Sequence, residues 1–362
     1  MQGEIASLSD ALSIYQTAEL VYFVRNLKLA QNFLLDRFFP NIIDADAPEV
    51  AIDVDFGLRR MAPFASPLVE AKPVESRRWG TNLFKPAYIK DLRNPDLLKP
   101  VRRNIGERLM GAMSPQDRLE ANLSWEMADQ LDMINRRLEW MAASALVSSS
   151  VTIVGEGYPT PMVVDYVRDP SLTIALTGSA QWGQNGVYPS DYITAWSALM
   201  LQKSGAAPTD IIFTNSTWNA FKNDIKVLNA IWMDRSGSSN VNLGGAMKQG
   251  AMYMGQWGQF TLWLYNDWYI DPVTGEETPM IPDGTVILTS PYLEGVRAFG
   301  QIIDPEFNYQ SVPYAPKLWI EKNPAVINLM MQSAPLIIPS RPNASLAATV
   351  MAAGSAVPAP TV

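Results

Sequence analysis

The sequence predicts an α+β chain organised around one helix far longer than its other elements. The first observation is the stretch from Ser114 to Leu146, SPQDRLEANLSWEMADQLDMINRRLEWMAASAL. Apolar side chains recur there at Leu119, Leu123, Met127, Leu131, Ile134, Leu138, Met141 and Ala145. Steps of four and three residues place all eight on one face of a 3.6-residue period. The second is the pair of alternating runs EVAIDVDF and NLFKPAYIK, which read as strands. The third is a mixture of short helical and extended patterns between residues 176 and 319.

Residues 1–48 predict an arm. LSIYQTAELVYFVRNLKLAQNFLLDRFFP is amphipathic and helical, ends at Pro40, and leads extended into the body. Residues 49–95 predict a long β-hairpin, two strands joined by the polar, Pro-rich LRRMAPFASPLVEAKPVESRRWGT. A disordered connector is the competing reading. The long helix lies within residues 96–175. Ser114 caps its first turn, Pro115 fits its first helical position, and Asp117 completes a start of the capping-box kind. At 1.5 Å per residue it spans roughly 45–50 Å, more than a compact domain needs to cross its core.

After it, VSSSVTIVGEGYPTPMVVDYV is a strand pair turned at Gly155–Pro161. DYITAWSALMLQKSG is a helix stopped by Gly205, and TDIIFT is a buried strand. NSTWNAFKND starts another helix with Asn or Ser as its cap. GQFTLWLYNDWYI alternates as a strand, which DPVTGEE turns back toward DGTVILTS. NPAVINLMMQSAPLIIPS predicts one apolar strand within residues 320–340. Residues 341–362, rich in Ala, Pro and Ser, predict a flexible tail.

Composition narrows the function. The 362 residues, 48% of them hydrophobic, suit two or three core-forming units. MQGEIASLSD carries an acid and precedes no apolar run, so no export signal is expected, and no stretch of about 18 apolar residues predicts a membrane span. Cysteine is absent, which removes disulfides, thiolate nucleophiles and thiolate metal sites, and suits a reducing compartment. Histidine is absent too, removing the commonest general base, the commonest metal ligand and every Ser-His-Asp or Cys-His arrangement.

Chemistry must then come from other groups. WGQFTLWLYNDWYID carries Trp257, Trp263, Trp268, Tyr265 and Tyr269 beside Asp267 and Asp271. Aromatic platforms beside paired carboxylates would suit a carbohydrate-active enzyme or a sugar-binding module. A half-buried strand explains the same alternation without chemistry. DPVTGEE lacks EF-hand spacing and fits a hairpin turn. NLGGAMKQGAMYMGQWG is too irregular for a phosphate cradle. No motif specifies a reaction, a catalytic residue, a metal or a cofactor.

Charge is uneven. Residues 51–112 hold twelve Lys or Arg against seven Asp or Glu, a net of +5, which leaves −13 elsewhere in a chain of net −8. The window contains the doublets Arg59–Arg60, Arg77–Arg78 and Arg102–Arg103. A solvated basic face is one reading. The other is a segment that reaches an acidic surface on a second copy of the chain, with Arg59, Arg60, Arg77, Arg78 and Trp79 as the contact residues.

The order of elements resembles the major capsid proteins of tailed bacteriophages with the Hong Kong 97-like fold, and among them the lambda-type branch. LLDRFFP resembles the family's N-terminal motif and NLFKPAYIK the returning strand of its hairpin. GVRAFGQIID and MMQSAPLIIPS resemble its closing segments and IPDGTVIL the strand just before them, so the likeness runs from about residue 12 to 350. The resemblance implies an N-terminal arm over 1–48, an extended loop over 49–95, and a peripheral domain over 96–175 with spine helix 114–146. An axial domain over 176–319 and a returning peripheral strand over 320–340 complete it. It implies a structural role: self-assembly into hexamers and pentamers of an icosahedral head around double-stranded DNA, without sequence-specific binding, enzymatic activity or cofactor. It further implies a virion protein assembled in the host cytoplasm, off the membrane, with a portal, a separate scaffolding protein and a small decoration protein as partners. Lys72 and Lys85 lie where some relatives cross-link; the lambda-type likeness implies decoration instead.

Overall fold

The computed structural model describes residues 32–45, 49–55, 61–62, 64, 79–95, 114–228, 250–323 and 325–352. The amphipathic stretch before Asn32, the middle of the 49–95 loop with its Arg doublets, the basic segment 96–113, the Gly-rich stretch up to 249 and residues 353–362 lie outside them.

Helix α1 (Phe33–Phe38) is followed by strands β1 (Asn41–Asp44), β2 (Val50–Asp55), β3 (Trp79–Phe84) and β4 (Ile89–Arg93). The long helix is α2 (Pro115–Val147), leading to β5 (Ser150–Ile153), β6 (Met162–Asp165) and β7 (Thr173–Ala175). Helix α3 (Pro189–Ser204), β8 (Asp210–Phe213) and helix α4 (Asn215–Lys222) come next. Then follow β9 (Ala251–Trp257), β10 (Phe260–Tyr265), β11 (Trp268–Ile270), β12 (Glu277–Pro279) and β13 (Thr285–Thr289). The chain continues through β14 (Gly295–Phe299), β15 (Ala315–Lys322), β16 (Ala325–Ser333), β17 (Pro335–Pro339) and β18 (Ser345–Thr349).

Helix α2 is continuous over 33 residues. Its start is the expected capping box: Ser114 Oγ accepts from Asp117 N at 3.1 Å, and the Asp117 carboxylate accepts from Ser114 N at 2.9 Å. Those bonds hold the Asp117 carboxyl below its usual range. Leu123, Met127, Leu131, Ile134, Leu138 and Met141 are buried at 1–2% exposure, whereas Leu119 is only partly buried at the edge of the core. The helix packs on β5, β16 and β17, and also on β4, β13, β18 and α1.

Its far end is closed by a distant side chain. Val167 takes a positive φ of 56°, costly for a β-branched residue, and Arg168 comes next. The Arg168 guanidinium is buried and donates to Leu146 O at 2.7 Å and Val147 O at 2.6 Å, the last carbonyls of the helix. It also donates to Thr173 Oγ1 at 2.8 Å and Ser345 Oγ at 3.3 Å. A cation at the negative end of a long helix is electrostatically well placed. Burial nevertheless lowers its pKa to about 10.

A six-stranded sheet in the order β7-β18-β13-β8-β10-β9 divides two cores. Along β8, Ile211 and Phe213 face one and Ile212 the other; along β13, Val286 and Leu288 oppose Ile287. This is the period-2 alternation of a sheet covered on both faces. One core is shared with α2. The other holds Trp182, Trp196 and Phe221 beneath α3 and α4. Gly205 stops α3 with φ 73°.

Six expectations are corrected. GQFTLWLYNDWYI is not one strand: it breaks at residues 266–267, β10 pairing with β8 and β9 whereas β11 pairs with β12 in another sheet. NLFKPAYIK is not one strand, because Pro86 has no N–H for a ladder. The run breaks at residues 85–88, and β4 leaves the hairpin to pair with β16. NPAVINLMMQSAPLIIPS breaks at Ala334, since β16 pairs with β15 and β4 whereas β17 pairs with β14 in another sheet. DPVTGEE turns β11 back onto β12, not onto β13, which lies between β8 and β18. The cap of α4 is Thr214, one residue before Asn215. Residues 341–352 are not tail: β18 is nearly all buried between β7 and β13, with Ala347 toward the α2 core and Leu346 and Ala348 toward the other. Small side chains that read as flexible by composition here let packing come close on both faces.

Leu131→Ala should cost about 2–5 kcal/mol in urea unfolding, and Leu131→Pro should abolish folding of the subunit, since an interior proline alone costs about 3 kcal/mol. Arg168→Met should lose about 3 kcal/mol by stranding the buried helix carbonyls, and Arg168→Lys should recover only part because an ammonium lacks the guanidinium fork.

Candidate functional site

The Trp-rich strand is spread over separate environments. Trp257 stacks on Phe260 at 5.8 Å and meets the edge of Phe221 at 5.4 Å, both in the core under α4. Trp263 packs against Phe33 at 4.9 Å, lies under the Arg37 guanidinium at 4.7 Å and donates to Asp210 Oδ1 at 2.9 Å. Tyr265 is buried and donates to Glu139 at 3.0 Å. Asp267 and Asp271 sit at opposite ends of the three-residue β11. Each accepts a local backbone N–H, from Trp268 at 3.0 Å and from Val273 at 2.8 Å. Burial raises the Asp267 carboxyl above its usual range. Trp268 and Tyr269, with Arg136, Ile270 and Glu277, line an open cleft of about 370 Å³, in which Glu277 is the one carboxylate among the described lining residues. Among the described residues no group of three or more acidic side chains could hold a metal ion. Only the β10 part is an internal support, joined to β8 and β9, whereas β11 is an exposed strand paired with β12.

The unusual geometry lies at the hairpin's foot. β2 and β3 pair antiparallel from Val50–Phe84 to Asp55–Trp79 and form a two-stranded sheet of their own. Of the five contact residues expected, only Trp79 falls on a described backbone position, at the outer end of this ribbon. Arg59, Arg60, Arg77 and Arg78 lie outside the described residues.

Residues 85–88 seat the ribbon in the body. Ala87 N donates to Pro335 O at 3.1 Å and Tyr88 N to Tyr158 Oη at 3.3 Å. The Tyr88 hydroxyl donates to Gln332 Oε1 at 2.7 Å and accepts from Ile303 N at 3.2 Å. Gln332 in turn donates to Asp304 at 3.3 Å, which Lys317 also meets at 2.9 Å. Gly300 faces Pro86 so closely that a Cβ there would lie 2.4 Å from Pro86 Cγ, so only glycine fits. The rings of Phe84 and Tyr166 meet at 6.0 Å, and the Tyr166 hydroxyl donates to Ile337 O.

Sequence reading missed Tyr88, Gly300, Arg168 and Glu139. Only Glu139 left a trace, an acid inside the otherwise apolar LEWMAASAL at the end of the spine. The others act through contacts distant in sequence, to which no local spacing points.

Comparison with known proteins follows the same lines. The family model described as phage major capsid protein E matches residues 16–350. The major capsid protein of Escherichia phage N15 is 27% identical over 339 residues, covering 92% of this chain and 98% of its own length. That of Escherichia phage lambda is 26% identical with the same coverage. A crystal structure assigned to a prophage capsid protein of E. coli CFT073 superposes with a TM-score of 0.70 at 19% identity, over 92% of this chain and 99% of that one. The mature capsid subunit of bacteriophage PhiM1 gives 0.51 at 10% identity, over 90% and 88%. The fold is therefore the Hong Kong 97-like capsid fold, and the relatives are structural proteins, which leaves the sugar-binding reading without support. With the family model spanning residues 16–350, the chain belongs to the phage major capsid protein E family and is a major capsid protein of the lambda type.

Proposed function

We propose that this chain closes into hexamers and pentamers of an icosahedral head around double-stranded DNA, with the 49–95 loop laid over a neighbouring subunit. The observation that carries the reading is the β2–β3 ribbon standing apart as a two-stranded sheet. Such a ribbon is marginal in water by itself and needs a surface. The net +5 of residues 51–112 against −13 elsewhere fits an acidic surface on the next copy. Arg77 and Arg78 with Trp79 serve as the contact, since Arg pairs bidentately with carboxylates and Trp buries a large apolar face.

In this reading α2 is the spine of a peripheral domain formed by residues 96–175 and 320–340, and residues 176–319 form the axial domain at the capsomer centre. β18 joins the axial sheet. Portal, separate scaffolding and small decoration proteins complete the head, which is assembled in the host cytoplasm. Lys85 faces Glu49 at 3.7 Å, an exposed pair that fits a surface role better than cross-linking.

Arg77→Glu with Arg78→Glu should leave the monomer folded by circular dichroism but impair particle formation in electron micrographs; equal yield and heat resistance of variant particles would refute the ribbon contact. Each exposed pair contributes only about 0–1 kcal/mol, so the loss should come from repetition and wild-type shells should weaken as salt rises. Gly300→Ala should displace Pro86, tilt the ribbon and reduce assembly, at a cost of about 1–3 kcal/mol in subunit stability from overpacking; normal particles from that variant would mean the socket does not aim the ribbon.

A further inference from the structure

Helix α1 has six residues, and its N-cap residue Asn32 makes no side-chain cap. Its first free N–H groups are met from elsewhere. Glu139, in the second half of α2, accepts from Leu34 N at 2.9 Å through Oε1 and from Leu35 N at 3.1 Å through Oε2. A carboxylate there does the work of an N-cap side chain, in the field of the helix's positive end. The third donor is the Tyr265 hydroxyl of β10, at 3.0 Å from Oε1. One carboxyl group thus joins the arm, the spine and the six-stranded sheet.

The carboxylate is buried, and among the described residues no cation pairs with it. Glu139 is 1% exposed, and its three donors are uncharged. The charged groups of the surrounding elements are engaged elsewhere. On α1, Asp36 pairs with Arg297 at 2.7 Å, and Arg37 pairs with Asp210 of β8 at 2.9 Å. On α2, Arg136 pairs with Asp132 at 2.9 Å and Arg137 lies over Trp140 at 5.2 Å. Beyond β10, Asp267 adds repulsion. A lone carboxylate in such a place is costly to ionise.

We propose that Glu139 makes seating of the N-terminal helix on the spine a proton-linked step: the closed contact takes up a proton that the open contact, with Glu139 in water, releases. In the protonated form the carboxyl O–H donates to the Tyr265 oxygen along the same 3.0 Å line, the Tyr265 hydroxyl reversing there from donor to acceptor. Burial supplies the driving force by raising the carboxyl from 4.5 to about 7, while its hydrogen bonds pull it down and Asp267 adds to the rise. The closed state has the higher affinity for the proton, so seating gains as pH falls from about 7 toward 4.5 and weakens as pH rises through that window. A shell subunit would thereby carry an arm whose grip responds to pH. This inference concerns the single subunit and stands whether or not the ribbon reading holds.

Hydrogen exchange of the Leu34 and Leu35 amides in the purified full chain, corrected for intrinsic rates, tests it. Between about pH 5.5 and about pH 8 the wild-type protection should fall by roughly thirtyfold. Glu139→Gln cannot titrate, so its protection, whatever its level, should be flat. Tyr265→Phe removes a bond that pulls the carboxyl down, so its loss of protection should move to higher pH. Flat wild-type protection, an unchanged slope in Glu139→Gln, or a midpoint in Tyr265→Phe that stays or moves down would overturn the proposal.

Discussion

The structure depends on burial of one face of helix α2. Six side chains from Leu123 to Met141 are almost wholly excluded from water along it. Each is worth about 1.5–3 kcal/mol of transfer free energy. Strands from four separate sheets pack against the helix: β17 from one, β13 and β18 from the six-stranded sheet, β4 and β16 from a third, and β5 from a fourth. No other helix in the described residues is shared so widely. A rod longer than a compact core needs is explained by this, because it is the common support of sheets that would otherwise be unrelated bodies.

Apolar packing is indifferent to register, and the polar groups supply it. The Ser114–Asp117 box sets where α2 begins and Arg168 sets where it ends. Glu139 positions the arm helix by its backbone. Tyr88, Gln332 and Asp304 position the foot of the ribbon against β16. Each lies where elements distant in sequence meet, so each trades desolvation for a defined junction. Among the described residues the ribbon extends from such a junction with a backbone ladder but without a third strand, which is why the proposed contact with a neighbouring subunit falls to it.

Much of this was legible in the sequence, for physical reasons that can be named. Long periodicity made α2 readable to within a residue at each end, and its cap residues were local. The strand pair β5–β6 and the buried strand β8 were readable because alternation, turn glycine and apolar runs are also local signals. Apart from the α4 cap, misplaced by one residue, what failed was non-local. The Ala-rich β18 looked like a tail because two-sided burial cannot be seen in ASLAATV. NLFKPAYIK and NPAVINLMMQSAPLIIPS each looked like one strand because nothing in an apolar run tells which sheet each half will join. The aromatic strand suggested a sugar site from composition, whereas its rings face different cores. Arg168 and Gly300 were invisible because their partners, the α2 carboxyl end and Pro86, are about twenty and more than two hundred residues away.

The central claim is that α2 stays a continuous spine within each subunit while the ribbon finds its missing surface on the next one. Electron cryomicroscopy of assembled particles tests both halves together. The account predicts one unbroken helix over residues 115–147 and a ribbon from residues 50 to 84 lying across an adjacent subunit, with residues 77–79 against acidic side chains. A ribbon folded back on its own subunit, or a spine broken in its buried middle, would contradict it.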